Sequence, residues 1–382
     1  MPCSVAVLGS TGSVGRQALD VARYHGLRVD CLAARASVDL LEEQVREFSP
    51  RFCAVSDPDA ARDLAVRIAD TPTRVLRNPE GVREAIALTD APTVVNAILG
   101  EDGLLPTLAV IDAGKRLALA NKESLVVAGT EVMRRAREKG VSILPVDSEH
   151  CAIFQCLQCG HPAEVRRLFL TASGGPFFGY DRARLATVTR DMTLAHPTWQ
   201  MGAKITVDSA TLFNKGLEVI EASWLFSAEP EKIQAVVHPQ SIVHSMVELP
   251  DGAVLAQLGF PSMEIPVQLA LSCPERISSG APRLDFSRLH TLEFEPIDEE
   301  LFPCYALARA ALSAGGAYPA VANAANEAAV QAFLKGKIGF YDISALIAAA
   351  LDGVKSEGAG SYGQLCAADA AARRFVEQKI GV

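Results

Sequence analysis

The chain has 382 residues, 49% of them hydrophobic and 21% charged, enough for two or three domains that each bury a core. No segment approaches the roughly eighteen uninterrupted apolar residues of a membrane span, which predicts a soluble chain. Its formal charge of -9 opposes the broad basic surface of non-specific nucleic-acid binding, so any anionic ligand must be held by local donors.

Ser4 to Leu8 is a short apolar run, followed by Gly9-Ser10-Thr11-Gly12-Ser13-Val14-Gly15 and by a segment to Tyr24 with Val14, Ala18, Leu19 and Ala22 at helical spacing. Strand, glycine turn and helix in that order bring backbone close to a pyrophosphate, with the helix N-terminus facing its charge. The plainer reading is a tight strand-to-helix turn, but a second strand at Arg28 to Ala33 favours a dinucleotide site. That strand ends in Ala34-Arg35-Ala36-Ser37, where a guanidinium suits a 2'-phosphate and NADPH. Asp30, the rival acid for ribose hydroxyls, falls mid-strand.

Further strands are predicted at Phe52 to Val55, Arg74 to Leu76, Thr93 to Asn96, Arg116 to Leu119 and Ser142 to Pro145, with helices such as Leu40 to Phe48 and Leu105 to Ala113 between them. This alternation predicts a doubly wound, mostly parallel sheet with ligands at the carboxyl ends of its strands. Ala120-Asn121-Lys122-Glu123-Ser124 and Asp147-Ser148-Glu149-His150 stand at two such ends. If the backbone stays extended, Asp147 and Glu149 point to one side, and a bound cation relieves their repulsion. The alternative is a helix N-cap with an acid in the first turn.

Nine cysteines, an odd number in a chain whose glycine motif leaves no room for a leader, predict reduced thiols and a cytoplasmic location. Cys156 and Cys159, with Cys151, His150 and His161 nearby, invite a zinc reading. No second pair follows at finger spacing, whereas Ala152, Ile153, Cys156 and Cys159 recur as one helix face.

Ser173-Gly174-Gly175-Pro176-Phe177-Phe178-Gly179 mixes glycines with aromatics and could begin a mobile lid. From His196 to Gly202, and at Ser209, polar donors outnumber charges. Leu212 to Phe226 is predicted helical, with Asn214, Lys215, Glu218 and Glu221 on one polar face. Three carboxylates near a serine, an asparagine and a lysine supply hard oxygen ligands beside phosphate donors, a pattern for metal-assisted chemistry on a phosphorylated substrate. Pro274 to Pro303 reads as a connecting arm before helices at Tyr305 to Leu312, Ala320 to Leu334 and Ile343 to Leu351.

These segments together resemble the 1-deoxy-D-xylulose 5-phosphate reductoisomerase family, through GSTGSVG, LANKESLV, PVDSEH, LTASGGPF, the long run HPTWQMGAKITVDSATLFNKGLEVIEA, HPQSIVHSMVE, GFPSMEIPVQLAL and NAANEAAV. The resemblance implies an α/β fold class: a Rossmann-like NADPH domain at 1–146, an α+β catalytic domain with a mobile lid at 147–278, a connecting arm at 279–304 and a small helical domain at 305–382. By resemblance, Asp147, Glu149 and Glu218 bind Mg2+ or Mn2+. Lys122, Glu149 and His196 serve catalysis, and Ser148, Lys122 and His196 contact the substrate backbone. Ser173, Ser209, Asn214 and Lys215 hold the phosphate, and Trp199 belongs to the lid. Gly9, Thr11, Gly12, Ser13, Val14, Ala34, Arg35, Ala36, Asn121, Glu123 and Gly202 line the cofactor site, with Met201 and Met263 near the nicotinamide. His244 is a supporting residue or a core histidine.

The implied reaction is a skeletal rearrangement, by retro-aldol and aldol steps or a 1,2-shift, followed by hydride transfer in a homodimer that acts on a small phosphorylated sugar and engages neither nucleic acid nor membrane. Many members carry Gly-Lys-Asn where this chain has Ala34-Arg35-Ala36, and Glu101 and Asp102 fall in a usually neutral stretch, so departures concentrate on cofactor affinity. Two rival functions are a semialdehyde-type NADP dehydrogenase using Cys151 as thiolate and a non-catalytic NADPH sensor.

Overall fold

The structure, a computed structural model, describes residues 2–159, 165–195, 197, 199, 201–355 and 361–381. Contacts divide the chain into two compact units, one of residues 1–124, 130–151 and 262–282, the other of 125–129, 152–261 and 283–382.

The first unit alternates strand and helix: β1 (Ser4–Leu8), α1 (Ser13–Tyr24), β2 (Arg28–Ala34), α2 (Val38–Phe48), β3 (Phe52–Val55), α3 (Pro58–Arg67), β4 (Arg74–Arg77), α4 (Asn78–Leu88), β5 (Thr93–Asn96), α5 (Leu104–Asp112), β6 (Arg116–Leu119), α6 (Glu123–Lys139, less residues 125–129), β7 (Ile143–Pro145) and the first turn of α7 (Ser148–Leu157), whose remainder from Ala152 is counted with the second unit. Its seven strands are all parallel, in the order β4-β3-β2-β1-β5-β6-β7. Every residue of β1, β3 and β5 is buried, as befits strands covered on both faces. Strand order reverses between β1 and β5, where Leu8 pairs with Asn96. A crevice at the carboxyl ends of those strands is the binding position of such sheets.

Two glycines keep that position open. Gly9 turns the chain at φ +76°, and a Cβ there would overlap the carbonyl of Ala97, at the end of β5. On Gly15, a Cβ would overlap the carbonyl of Gly9, so α1 lies against the loop only because the side chain is missing. The predicted elements of this unit stand where the sequence places them, with ends shifted by a residue or two.

The second unit contains β8 (Arg167–Ala172), α8 (Arg182–Leu185), α9 (Arg190–Leu194), α10 (Ala203–Ala210), α11 (Phe213–Phe226), β9 (Ile233–Val237), β10 (Val243–Glu248) and β11 (Val254–Leu258). The chain then supplies α12 (Glu264–Ser272) to the first unit, where it packs on α1, before returning with β12 (Glu295–Pro296), α13 (Pro303–Ala314), α14 (Tyr318–Leu334), α15 (Phe340–Gly353) and α16 (Tyr362–Ile380). Its mixed sheet runs β11-β10-β8-β9-β12, with β8 and β9 parallel and the other pairs antiparallel.

One core joins Leu168 and Leu170 of β8 to Phe213, Leu217 and Ile220 of α11 and to the C-terminal helices. Fully buried alanines on α14, among them Ala320, Ala324 and Ala325, let neighbouring helices approach closely. The sequence names no helix after Leu351, and the structure adds α16. Phe177, within the segment read as the start of a lid, is buried and meets Phe340 edge-on at 5.4 Å, so that segment begins as an anchored turn. Among the described residues, no helix is long and apolar enough to cross a membrane.

Gly15→Ala should destabilise the protein by about 1–3 kcal/mol, because the added methyl meets backbone that must shift. Urea denaturation beside the parent chain checks it; an unchanged midpoint would show that the loop yields freely.

Candidate active site

The loop after β1 is fixed from below. The backbone N–H groups of Gly9 and Ser10 both donate to Ala33 O, at 2.8 and 3.0 Å. Ser10 Oγ donates to Gln44 Oε1 at 2.8 Å, and Gln44 Nε2 donates back to Ser10 O at 3.0 Å. Gly12 caps α1 in extended conformation without a side-chain hydrogen bond, so the helix presents its first N–H groups, framed by half-buried Thr11, Ser13 and Val14. Arg35 and Ala36 are exposed just past the end of β2, with Ala34 buried as its last residue.

Asp30 serves a different purpose. Buried mid-strand, it accepts from Thr89 Oγ1 at 2.6 Å and the Asp90 N–H at 3.1 Å. Asn121 turns its amide on the loop after β5, donating to Ile98 O and Gly100 O at 2.8 Å each, and its Oδ1 accepts from the Ser124 N–H at 3.0 Å. Its amide also reaches Glu123 Oε2 at 3.1 Å. Asn121 thus sets the shape of the turn that carries exposed Glu101 and Asp102. Met263 lies in this unit at the start of α12, whereas Met201 and Gly202 belong to the second.

Lys122 follows β6 and Asp147 follows β7, neighbouring strands, and their side chains form an ion pair at 2.6 Å with only 8% and 14% exposure. Asp147 does not continue a strand. The Cys151 N–H donates to Asp147 O at 2.8 Å, which opens α7, and Glu149 falls in its first turn. The extended reading of these two acids is therefore corrected to the N-cap alternative: β7 ends at Pro145, and both carboxylates gather at the positive end of a helix. Ser148 Oγ donates to Glu149 Oε2 at 2.5 Å. Ala152, Ile153 and Cys156 are buried along α7 as the helix-face reading requires, but Cys159 is exposed past the end of that helix and does not belong to the face; burial pushes the Cys156 thiol up to about 11. His161 lies outside the described residues.

In the second unit, Ser173 follows β8 and Ser209 lies in the last turn of α10. The Gly175 N–H donates to Ser173 Oγ at 3.2 Å, and Gly175, at φ +65°, comes so near that a Cβ would sit 2.9 Å from Ser209 O. Between α10 and α11, Leu212 adopts a left-handed conformation at φ 57°, ψ 12°, an unfavourable state for leucine, and is buried there. The predicted start of α11 at Leu212 is thus the break between two helices. One turn on, Asn214 Nδ2 donates to Glu218 Oε1 at 2.6 Å and the Lys215 ammonium pairs with Glu218 Oε2.

Lys215, Glu218 and Glu221 are all buried, a different setting from the solvated face such a run usually forms. Trp199 is half-buried, Gly202 caps α10, and His196 lies outside the described residues. His244 is a buried neutral ring. Burial pushes it down to about 4, with the charges of His238 and Lys215 acting in the same direction and backbone hydrogen bonds at Phe260 and Gly259 opposing. Sequence reasoning gave no role to Asp208, a buried acid beside Ser209; its signal was the i,i+4 spacing from Lys204 on α10.

A parallel sheet with an open glycine loop at its switch point, and acids paired with lysines, places the chain among α/β oxidoreductases of the dinucleotide-binding kind. Family models for 1-deoxy-D-xylulose 5-phosphate reductoisomerase match residues 5–129, and models for its C-terminal domains match 143–226 and 258–375. A 1-deoxy-D-xylulose 5-phosphate reductoisomerase from Heliobacterium modesticaldum is 49% identical over 381 residues, covering 99% of this chain and 97% of its own. The enzyme of that name from Zymomonas mobilis, solved in complex with NADPH, superposes with a TM-score of 0.93 at 42% identity over 100% of this chain and 99% of its own. A DOX-P reductoisomerase solved with NADPH, fosmidomycin and magnesium gives 0.95 at 41% identity, covering 99% and 98%. The chain belongs to the 1-deoxy-D-xylulose 5-phosphate reductoisomerase family.

The His244 ring gives a pH dependence with a definite sign. An unfolded histidine takes up a proton near pH 6.5, but the folded ring resists until about 4. Stability from this site is therefore complete above about pH 6.5 and is lost as pH falls toward 4, by up to roughly 3 kcal/mol. Urea midpoints at about pH 7 and pH 4.5 should fall less in His244→Gln than in the parent; equal falls would refute the assignment.

Proposed function

We propose that the chain converts 1-deoxy-D-xylulose 5-phosphate to 2-C-methyl-D-erythritol 4-phosphate with NADPH and Mg2+ or Mn2+, a step toward isoprenoid precursors. Family membership supports the activity. The observation that carries the site assignment is the pairing of Asp147 with Lys122 and of Glu218 with Lys215. Each carboxylate lies against an ammonium, whose charge favours the ionised form that a hard cation takes as an oxygen ligand. Asp147 and Glu149 from the start of α7 and Glu218 from α11 are the proposed ligand set. When bound, the cation polarises the substrate's carbonyl and neighbouring hydroxyl oxygens, and NADPH supplies the hydride.

The chain's own residues bind and orient. Ser173, Ser209, Asn214 and Lys215 hold the phosphate, so binding energy remote from the reacting carbons contributes to orienting them. Lys122, Ser148 and His196 contact the sugar backbone, Lys122 as a buried cation beside the proposed ligand Asp147. Trp199 is assigned to the cover that excludes water during rearrangement. For the cofactor, the bare end of α1 at Gly12 to Val14 fits a pyrophosphate, and Arg35 fits the 2'-phosphate. Asn121 and Glu123 shape the neighbouring turn, and Met201, Gly202 and Met263 complete the assigned lining. A buried Cys151 suits packing better than the accessible thiolate of a semialdehyde dehydrogenase.

The division into a cofactor domain at 1–146, a catalytic domain at 147–278, an arm at 279–304 and a helical domain at 305–382 is part of the same reading. So are a homodimer, as the family resemblance implies, and a cytoplasmic location, in keeping with nine unbridged cysteines.

NADPH consumption with the sugar phosphate should require added Mg2+ or Mn2+ and cease with EDTA, and Glu218→Gln should lower kcat/KM by roughly a hundredfold or more while weakening Mn2+ binding in calorimetry. Turnover indifferent to EDTA would show that the carboxylates have another role. Sedimentation at micromolar concentration should give about twice the chain mass; a monomer refutes the dimer.

A further inference from the structure

Asp208, in the last turn of α10 and immediately before Ser209, is 1% exposed. Its Oδ1 accepts from Asn326 Nδ2 of α14 at 2.8 Å, and its Oδ2 lies 3.0 Å from Lys204 Nζ, one turn back on α10. A carboxylate only accepts, so the orientation of the Asn326 amide is fixed by this bond. The charges continue outward: Lys204 Nζ is 3.8 Å from Glu327, which accepts from Arg373 of α16 at 2.7 Å, and Arg373 also holds Asp369. Two helices that pack together, α14 and α16, are thereby tied through alternating charges to the end of α10.

A buried carboxylate is tolerated only where its partners satisfy it, and this one is satisfied by residues from 118 positions away in sequence as well as from its own helix. It also sits at a place where backbone position matters. One side of the last turn of α10 meets the Gly175 turn at Ser209 O, and two residues beyond Ala210 the chain is in the left-handed state of Leu212. Thr211 Oγ1 donates to Asp208 O at 3.3 Å, so Asp208 is fixed through both its side chain and its carbonyl.

We propose that Asp208 is a positioning residue for phosphate binding: clamped by Asn326 and Lys204, it makes α14 and α16 the base against which Ser209 and the α10–α11 junction are held. The inference rests on the assignment of Ser209 and Asn214 as phosphate donors. On this account the C-terminal helices set the affinity for the phosphorylated end of the substrate.

The test uses full-length enzyme with NADPH and Mn2+, comparing Asp208→Asn, Asn326→Ala, their combination and Ser209→Ala. The first retains an acceptor for Asn326 but not the charge facing Lys204; the second removes the long-range bond and leaves the carboxylate in place. Each is expected to raise KM for the sugar phosphate by about fivefold with kcat and NADPH affinity within about twofold, and the combination should exceed the larger single effect by less than about twofold. If both leave KM within about twofold of the parent while Ser209→Ala raises it, the clamp is refuted and the phosphate assignment stands. If Ser209→Ala leaves KM unchanged, the phosphate assignment falls and the clamp with it. Equal losses in kcat, KM and NADPH affinity would mark general damage and overturn positioning.

Discussion

The constraint on which the site depends is that carboxylates must stay ionised where little water reaches them. Desolvation alone favours the protonated acid, which is a poor ligand for a hard cation. Lys122 against Asp147, and Lys215 with Asn214 against Glu218, oppose that preference by supplying charge and hydrogen bonds at contact distance. Such pairs are weak sources of stability, since taking both ions out of water offsets much of their attraction. Their placement follows from strand ends and helix repeats: Lys122 and Asp147 come from neighbouring strands, and Asn214, Lys215 and Glu218 from consecutive turns of one helix. Backbone geometry sets the spacing of the charges, and the charges keep the chemistry available.

Much of this was readable beforehand, for identifiable reasons. The parallel sheet announced itself through short, uninterrupted apolar runs such as Val5–Leu8 and Phe52–Val55, because strands covered on both faces need no alternation. The glycine loop was legible because Gly9 and Gly15 answer a steric demand that any other residue would violate. Asp147 and Glu149 were harder, since two acids around a serine suit a strand end or a helix start equally well; the bond from Cys151 N–H to Asp147 O decides it. Contacts across long separations left no periodic trace. Asn326 reaching Asp208 joins residues more than a hundred positions apart, and the role of Asn121 depends on the path of a loop from another strand.

The alanine bias near the C-terminus illustrates how a composition can be informative without being specific. Small residues at helical spacing permit close packing, and α14 is lined by fully buried alanines. Its polar members, Asn323 and Asn326, interrupt that apolar surface and are equally buried. A helix made mainly of alanine has few ways to fix its rotation about its own axis, because its faces are nearly alike. A directed hydrogen bond such as that from Asn326 distinguishes one rotation from another at little cost in volume.

Leu212 shows the same economy in the backbone. Left-handed leucine costs about 1–2 kcal/mol, and burying its side chain contributes about 1.5–3 kcal/mol, so the core holds the strained state in place. Without that grip, the last turn of α10 and the first of α11 could wind into a single continuous rod. Ser209 and Asn214 would then be carried apart around its circumference, although neither had changed. A latent straight helix is thus written into the segment, and an apolar side chain that meets no ligand keeps it bent.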